Sequence, residues 1–189
     1  MTKLVISLVL ALFVTAAGAQ TVTDLAPASP QPAAADLAPG LAVLYFGYLG
    51  REVEDLESYD DGRVGPPLAN LDWDMGDGDV LTSGRSIGVG ARITGFIRFP
   101  QAGVYQLVMN SNDGIKLVIA DQPLIMDPTV HGDRFSDIAS VNVPSAGWYP
   151  LLLHYFQRKG TATLQLFWQP PGGDRMVIVP AEHLAHSNK

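Results

Sequence analysis

The sequence predicts an all-β protein, an antiparallel β-sandwich, and three observations carry that expectation. From residue 40 onward apolar and polar residues alternate with a period of two, the spacing that puts side chains on one face of a strand. Clusters of Gly, Pro, Asn and Asp interrupt these runs roughly every 8–12 residues, as in sandwiches and barrels. No stretch repeats its apolar residues at helical spacing.

Each segment can be justified in turn. Residues 1–19 read as a signal peptide: Lys3, an apolar run from Leu4 to Val14, then Ala17-Gly18-Ala19 before Gln20. The run has about eleven residues, against the roughly 20 needed to cross a bilayer. The expectation is therefore cleavage and export, to a periplasm or outside the cell, with no transmembrane segment afterwards. Residues 20–39 hold Pro27, Pro30, Pro32 and Pro39 among alanines and read as a Pro/Ala-rich linker. Residues 40–186 form the sandwich domain, and 187–189 are a tail.

Within the domain, strands are expected at 41–48, 92–99, 104–109, 115–119, 124–126, 138–143, 147–156, 161–169 and 175–179. In 92–99, Ile93, Ile97 and Phe99 share one face while Arg92, Thr94 and Arg98 share the other. In 161–169, Ala162, Leu164, Leu166 and Trp168 alternate with Thr161, Thr163, Gln165 and Gln169. Residues 50–91 differ, with few apolar side chains and ten of the 19 acids. This acid-rich part reads as long surface loop with one or two short strands, a length that calls for a functional or calcium-based reason.

Composition excludes several functions. With no cysteine there is no disulfide, zinc-thiolate site or thiol chemistry. A net charge of -7 without a basic run argues against a nucleic-acid partner.

Four constellations could carry chemistry. The run Asp72-Trp73-Asp74-Met75-Gly76-Asp77-Gly78-Asp79 is dense in carboxylates but fails the EF-hand spacing at the required glycine and at the closing glutamate. It reads as a solvated loop with Trp73 packed inward. Gly84-Arg85-Ser86-Ile87-Gly88 matches a nucleophile-elbow string but has no helix to follow it, so no catalysis is expected. Glu182, His183 and His186 read as an exposed terminal turn. The most informative loop is Asn110-Ser111-Asn112-Asp113-Gly114 between two strands. It is either an Asx-type turn, with Gly114 supplying positive φ, or a set of oxygens for calcium or for sugar hydroxyls.

At this loop the sequence resembles a known family. Thr94-Gly95-Phe96-Ile97-Arg98-Phe99-Pro100, Ala102-Gly103-Val104-Tyr105-Gln106-Leu107 and Ser111-Asn112-Asp113-Gly114-Ile115-Lys116-Leu117 resemble successive strands of the lectin-like domain first described in anthrax protective antigen, the PA-fourteen (PA14) family. The segments Ala146-Gly147-Trp148-Tyr149-Pro150-Leu151, His154-Tyr155-Phe156, Thr163 to Trp168 and Val179 to Leu184 look like its later strands. Gly40 to Phe46 and Asp72-Trp73 look like its opening ones. The likeness covers residues 40–186.

That resemblance implies a non-catalytic, lectin-like module for a glycan or a glycan-bearing surface, and it leaves room for a protein partner. It also implies calcium held by two adjacent aspartates, whose positions here are Asn112 and Asp113, so one ligand charge is missing. Further ligand-binding candidates lie in the second loop: Asp127, His131, Asp133 and Arg134, beside Gly114 in the first. Trp73, Trp148 and Trp168 are expected in the core. The alternative is a cell-envelope structural or protein-interaction sandwich that has lost its sugar and calcium site.

Overall fold

The computed structural model describes residues 22–188. The proposed signal peptide and the first residues of the linker lie outside them. The chain opens with β1 (Val22–Asp24), β2 (Leu37–Pro39) and β3 (Leu41–Gly47), then β4 (Arg63–Leu68), β5 (Asp72–Gly76), β6 (Val89–Phe99) and β7 (Gly103–Asn112). It continues with β8 (Ile115–Ile119), β9 (Gln122–Asp127), β10 (Arg134–Phe135), β11 (Ala139–Val143), β12 (Gly147–Gln157), β13 (Ala162–Gln169), β14 (Val177–Ile178) and β15 (Leu184–Ser187). Helical structure among the described residues is confined to short 3-10 turns. The all-β expectation is borne out.

Two sheets result. The seven-stranded sheet runs β1-β11-β7-β13-β14, with β10 beside β7 and β5 beside β13. The eight-stranded sheet runs β2-β15-β6-β12-β8-β9, with β3 against β6 and β4 against β3. Pairing is antiparallel except for β1 on β11. The period-two pattern explains the packing. Tyr105, Leu107 and Met109 of β7 and Leu164, Leu166 and Trp168 of β13 are buried. They share one core with Ile93, Ile97 and Phe99 of β6 and Tyr149, Leu151, Leu153 and Tyr155 of β12. Phe99 sits edge-on to Tyr105 and Tyr149, with centroids 4.7 and 5.1 Å away. Each fully buried side chain of this size contributes on the order of 1.5–3 kcal/mol through removal from water.

Three segments depart from expectation. Residues 22–39 do not trail away from the sandwich. Val22–Asp24 pairs with β11, Leu37–Pro39 pairs with β15, and Leu25 is buried in the core. Proline restricts ladder donation, so this arm occupies sheet edges, where a missing amide is tolerated. The tail is likewise engaged: Ser187 pairs with Leu37, and Asn188 donates to Asp36 O. In the acid-rich region, a 3-10 turn at Val53–Ser58 buries Val53 and Leu56, three residues apart. These join Phe46, Tyr48 and Phe156 in a second, smaller apolar cluster. Since Phe46 and Phe156 occupy the face of β3 and β12 opposite the main core, the turn lies over the outer face of the eight-stranded sheet.

Candidate functional site

The loop expected at Asn110–Gly114 is shorter than the sequence suggested. β7 runs through Asn112, so the turn is Asp113-Gly114 alone, and the Asn112–Asp113 peptide is cis. β12 holds the turn from the side. Asp113 N donates to Phe156 O and Phe156 N donates to Gly114 O, both at 3.0 Å. Gly114 does not have a positive φ. Its requirement is space: a Cβ there would lie 2.5 Å from both Pro128 O and the Phe156 ring.

Asp113 is only 2% exposed. Its Oδ1 accepts from His131 N at 3.1 Å and its Oδ2 from Arg158 N at 2.6 Å. Burial pushes its pKa up, and those two amides pull it back. Asn112 is also buried. Its side-chain amide donates to Thr161 Oγ1 at 2.9 Å, and its backbone carbonyl accepts from Tyr155 Oη at 2.7 Å.

The second loop supplies charge of both signs. Asp127 ends β9 and takes both Arg134 Nε, at 2.7 Å, and Arg134 Nη2 on its carboxylate. That guanidinium holds the Asp127 carboxyl below its usual range. His131 links the two loops. Its amide is on Asp113, and its Nε2 lies 3.3 Å from Asp127 Oδ2. That separation suits an ion pair, although the geometry is not that of a hydrogen bond. The carbonyl of Gly132, 2.8 Å from Nδ1, can only accept, so Nδ1 carries a proton. The structure therefore brings Asn112, Asp113, Gly114, Asp127, His131 and Arg134 to one end of the sandwich. Asp133 is exposed and makes none of these contacts.

Calcium takes six to eight oxygens; here each Asp113 oxygen accepts from an amide and the Asp127 carboxylate holds a guanidinium. Among the described residues there is no group of three or more His or acidic side chains placed to hold a metal. The other constellations are structural. Asp72 Oδ1 accepts from Gln165, and Trp73 Nε1 donates to Asn70 O. His183 and His186 each meet a backbone carbonyl. Ser86 lies before strand β6, without a helix to follow it.

Sequence reasoning missed two kinds of contributor. Arg158 reaches Asp113 through its backbone, which leaves no mark in side-chain identity. Phe135 was legible as the one aromatic in a polar stretch. It is 62% exposed, lies 5.7 Å centroid to centroid from Phe167, and borders a cavity of about 490 Å³ with Asp127, Arg134, Ser136 and Asp137. A larger cavity, about 620 Å³, lies beside Gln31, Arg98, Trp148 and Glu182, away from the Asp113 turn. Trp168 is a core residue and Trp73 packs against the core, but Trp148 does not enter it and is half-buried at that cavity.

Residues 88–181 match the PA14 domain family. In structure the chain is similar to the PA14 domain of the MpAFP antifreeze protein, with TM-score 0.68 and 16% identity over 87% of this chain and 98% of that one. It is similar to the PA14 sugar-binding domain from an RTX adhesin, with TM-score 0.64 and 18% identity over 79% and 99%. It is also similar to the A domain of epithelial adhesin 9 from Candida glabrata in complex with Galb1-4GlcNAc, with TM-score 0.67 and 11% identity over 88% and 97%. No curated protein matches the chain in sequence.

Proposed function

From the PA14 domain that this chain carries, we propose that it is an exported, non-catalytic carbohydrate-binding module that takes its glycan without calcium. The observation that carries this reading is the cavity at the loop end. There the Asp127–Arg134 pair, whose guanidinium side chain remains 50% exposed, lies beside the exposed ring of Phe135. A carboxylate and a guanidinium offer the acceptor and donors that sugar hydroxyls need, and an aromatic face stacks on the apolar face of a sugar ring. The sugar-binding adhesin domains of the same fold support the reading. Among the described residues no helix is long and apolar enough to cross a membrane. Export rests on residues 1–19.

A glycan array probed with and without a calcium chelator tests this. Binding should survive the chelator and be lost in Arg134→Ala and Phe135→Ala. A silent array would sink the reading. It would favour a structural or protein-interaction sandwich of the cell envelope, for which the amide-saturated Asp113 is the supporting observation.

A further inference from the structure

The outer face of the eight-stranded sheet carries a second cluster that the glycan reading does not use. Arg92 on β6, His154 on β12 and Lys116 on β8 are in register across three adjacent strands and share the face opposite the main core. The 3-10 turn at Val53–Ser58 lies over this row, anchored by Val53 and Leu56. It places Glu57 on Lys116 as an ion pair. Between turn and sheet is a cavity of about 470 Å³ bordered by these three bases, Glu57 and Asp60, with Val118 and Leu152 as its apolar part.

His154 is the informative member. It is 4% exposed. Its Nε2 lies 3.3 Å from Arg92 Nε, and a guanidinium can only donate, so Nε2 is the acceptor and Nδ1 carries the proton. That buried Nδ1 has no hydrogen-bond partner among the described residues. An unpaired buried donor is destabilising, so a ligand that brings an acceptor to it relieves that cost. Burial, then the Arg92 charge, holds the imidazole below its usual pKa and hence neutral.

The charges indicate which acceptor. Lys116 is matched by Glu57. The Arg92 guanidinium donates to the carbonyls of Leu56 and Tyr59 and lies 5.5 Å above the Phe46 ring, with no carboxylate in ion-pair contact among the described residues. Arg92 thus has no ion-pair partner among the described residues, Asp60 lies at the rim, and the apolar part suits a short carbon skeleton. We propose that this cavity binds a small organic monocarboxylate, which accepts from His154 Nδ1–H and Lys116 Nζ beside Arg92.

The test is NMR titration of the whole chain, following the His154 ring nitrogens, with sodium glucuronate and sodium acetate as probes and glucose as the uncharged control. Both carboxylates should give saturable shifts at His154 and glucose none. Glu57→Gln frees Lys116 and should tighten binding several-fold. Lys116→Gln should weaken it about tenfold, the loss of one charge-assisted hydrogen bond. Affinity should rise on acidification as His154 gains a proton. The other charged groups that face this ring are Arg92, Lys116, Asp60 and Glu57, the last held below its usual range by Lys116. Arg134→Ala, in the proposed glycan site, should leave all of this unchanged, so the two readings can fail separately. No saturable shift with either carboxylate, or an affinity indifferent to Glu57→Gln, would overturn the proposal. Glu57 is exposed, which makes that variant safe for folding.

Discussion

Asp113 and His154 are both ionisable and almost fully buried, yet they stand in opposite conditions. Asp113 sits in the turn after β7 with each oxygen on a backbone amide. His154 sits on a sheet face with one nitrogen on a cation and the other unbonded. A buried polar group whose bonds all go to the backbone is a strut. One that keeps a free donor beside a cavity is available to a ligand. Burial alone therefore does not distinguish structure from function here; the remaining hydrogen-bonding capacity does.

The contrast can be broken most directly at Asp113. Asp113→Ala leaves two part-buried amides unpaired and should cost about 3 kcal/mol in urea unfolding, with or without calcium. A loss confined to calcium-containing buffer would instead make Asp113 a metal ligand.

Acid sharpens the comparison next, because the two groups respond with opposite sign. His154 titrates below its ordinary 6.5 in the fold, so just under that value the unfolded chain binds more protons. Its stability contribution is complete above 6.5 and is lost as pH falls through the window beneath. The slope is at most about 1.4 kcal/mol per pH unit for one proton. Asp113 titrates above its ordinary 3.8, so its burial penalty is present at neutral pH and is relieved as pH falls toward 3.8. Glu57 and Asp127 are held below their usual values by Lys116 and Arg134, and their contribution disappears at the acid end. Urea midpoints measured from pH 7 to 5 should fall, and His154→Leu should flatten that limb alone.

Tyr155→Phe removes the hydroxyl that donates to Asn112 O at 2.7 Å and should cost about 1 kcal/mol in the same assay. It tests whether the turn is held from the core. The smallest effect belongs to Arg134→Ala. Its half-exposed ion pair should contribute about 0.5 kcal/mol, so stability barely moves while glycan binding on the array is lost.

The sandwich was legible because alternation such as Ile93, Ile97, Phe99 against Arg92, Thr94, Arg98 states which face is buried. The loop residues were legible as a set, since Asn112, Asp113, Asp127, His131 and Arg134 converge. What they do to one another was not. Whether Asp127 meets a cation or a guanidinium depends on a tertiary contact with Arg134. Two more features escaped for the same reason. The arm at 22–39 contains no alternation because its strands lie at edges and bury few side chains. The Arg92–His154–Lys116 row joins residues far apart in sequence, and only strand register aligns them.

The N-terminal arm has a consequence for assembly. Its first strand closes one edge of the seven-stranded sheet and its second closes one edge of the eight-stranded sheet. Cleavage between Asp36 and the body would release β1, and loss of the whole arm would bare β11 and β15 together. Open strand edges are templates for pairing with other chains. The arm thus covers two strand edges of the body, and a protease that trimmed it would bare them for pairing with other chains.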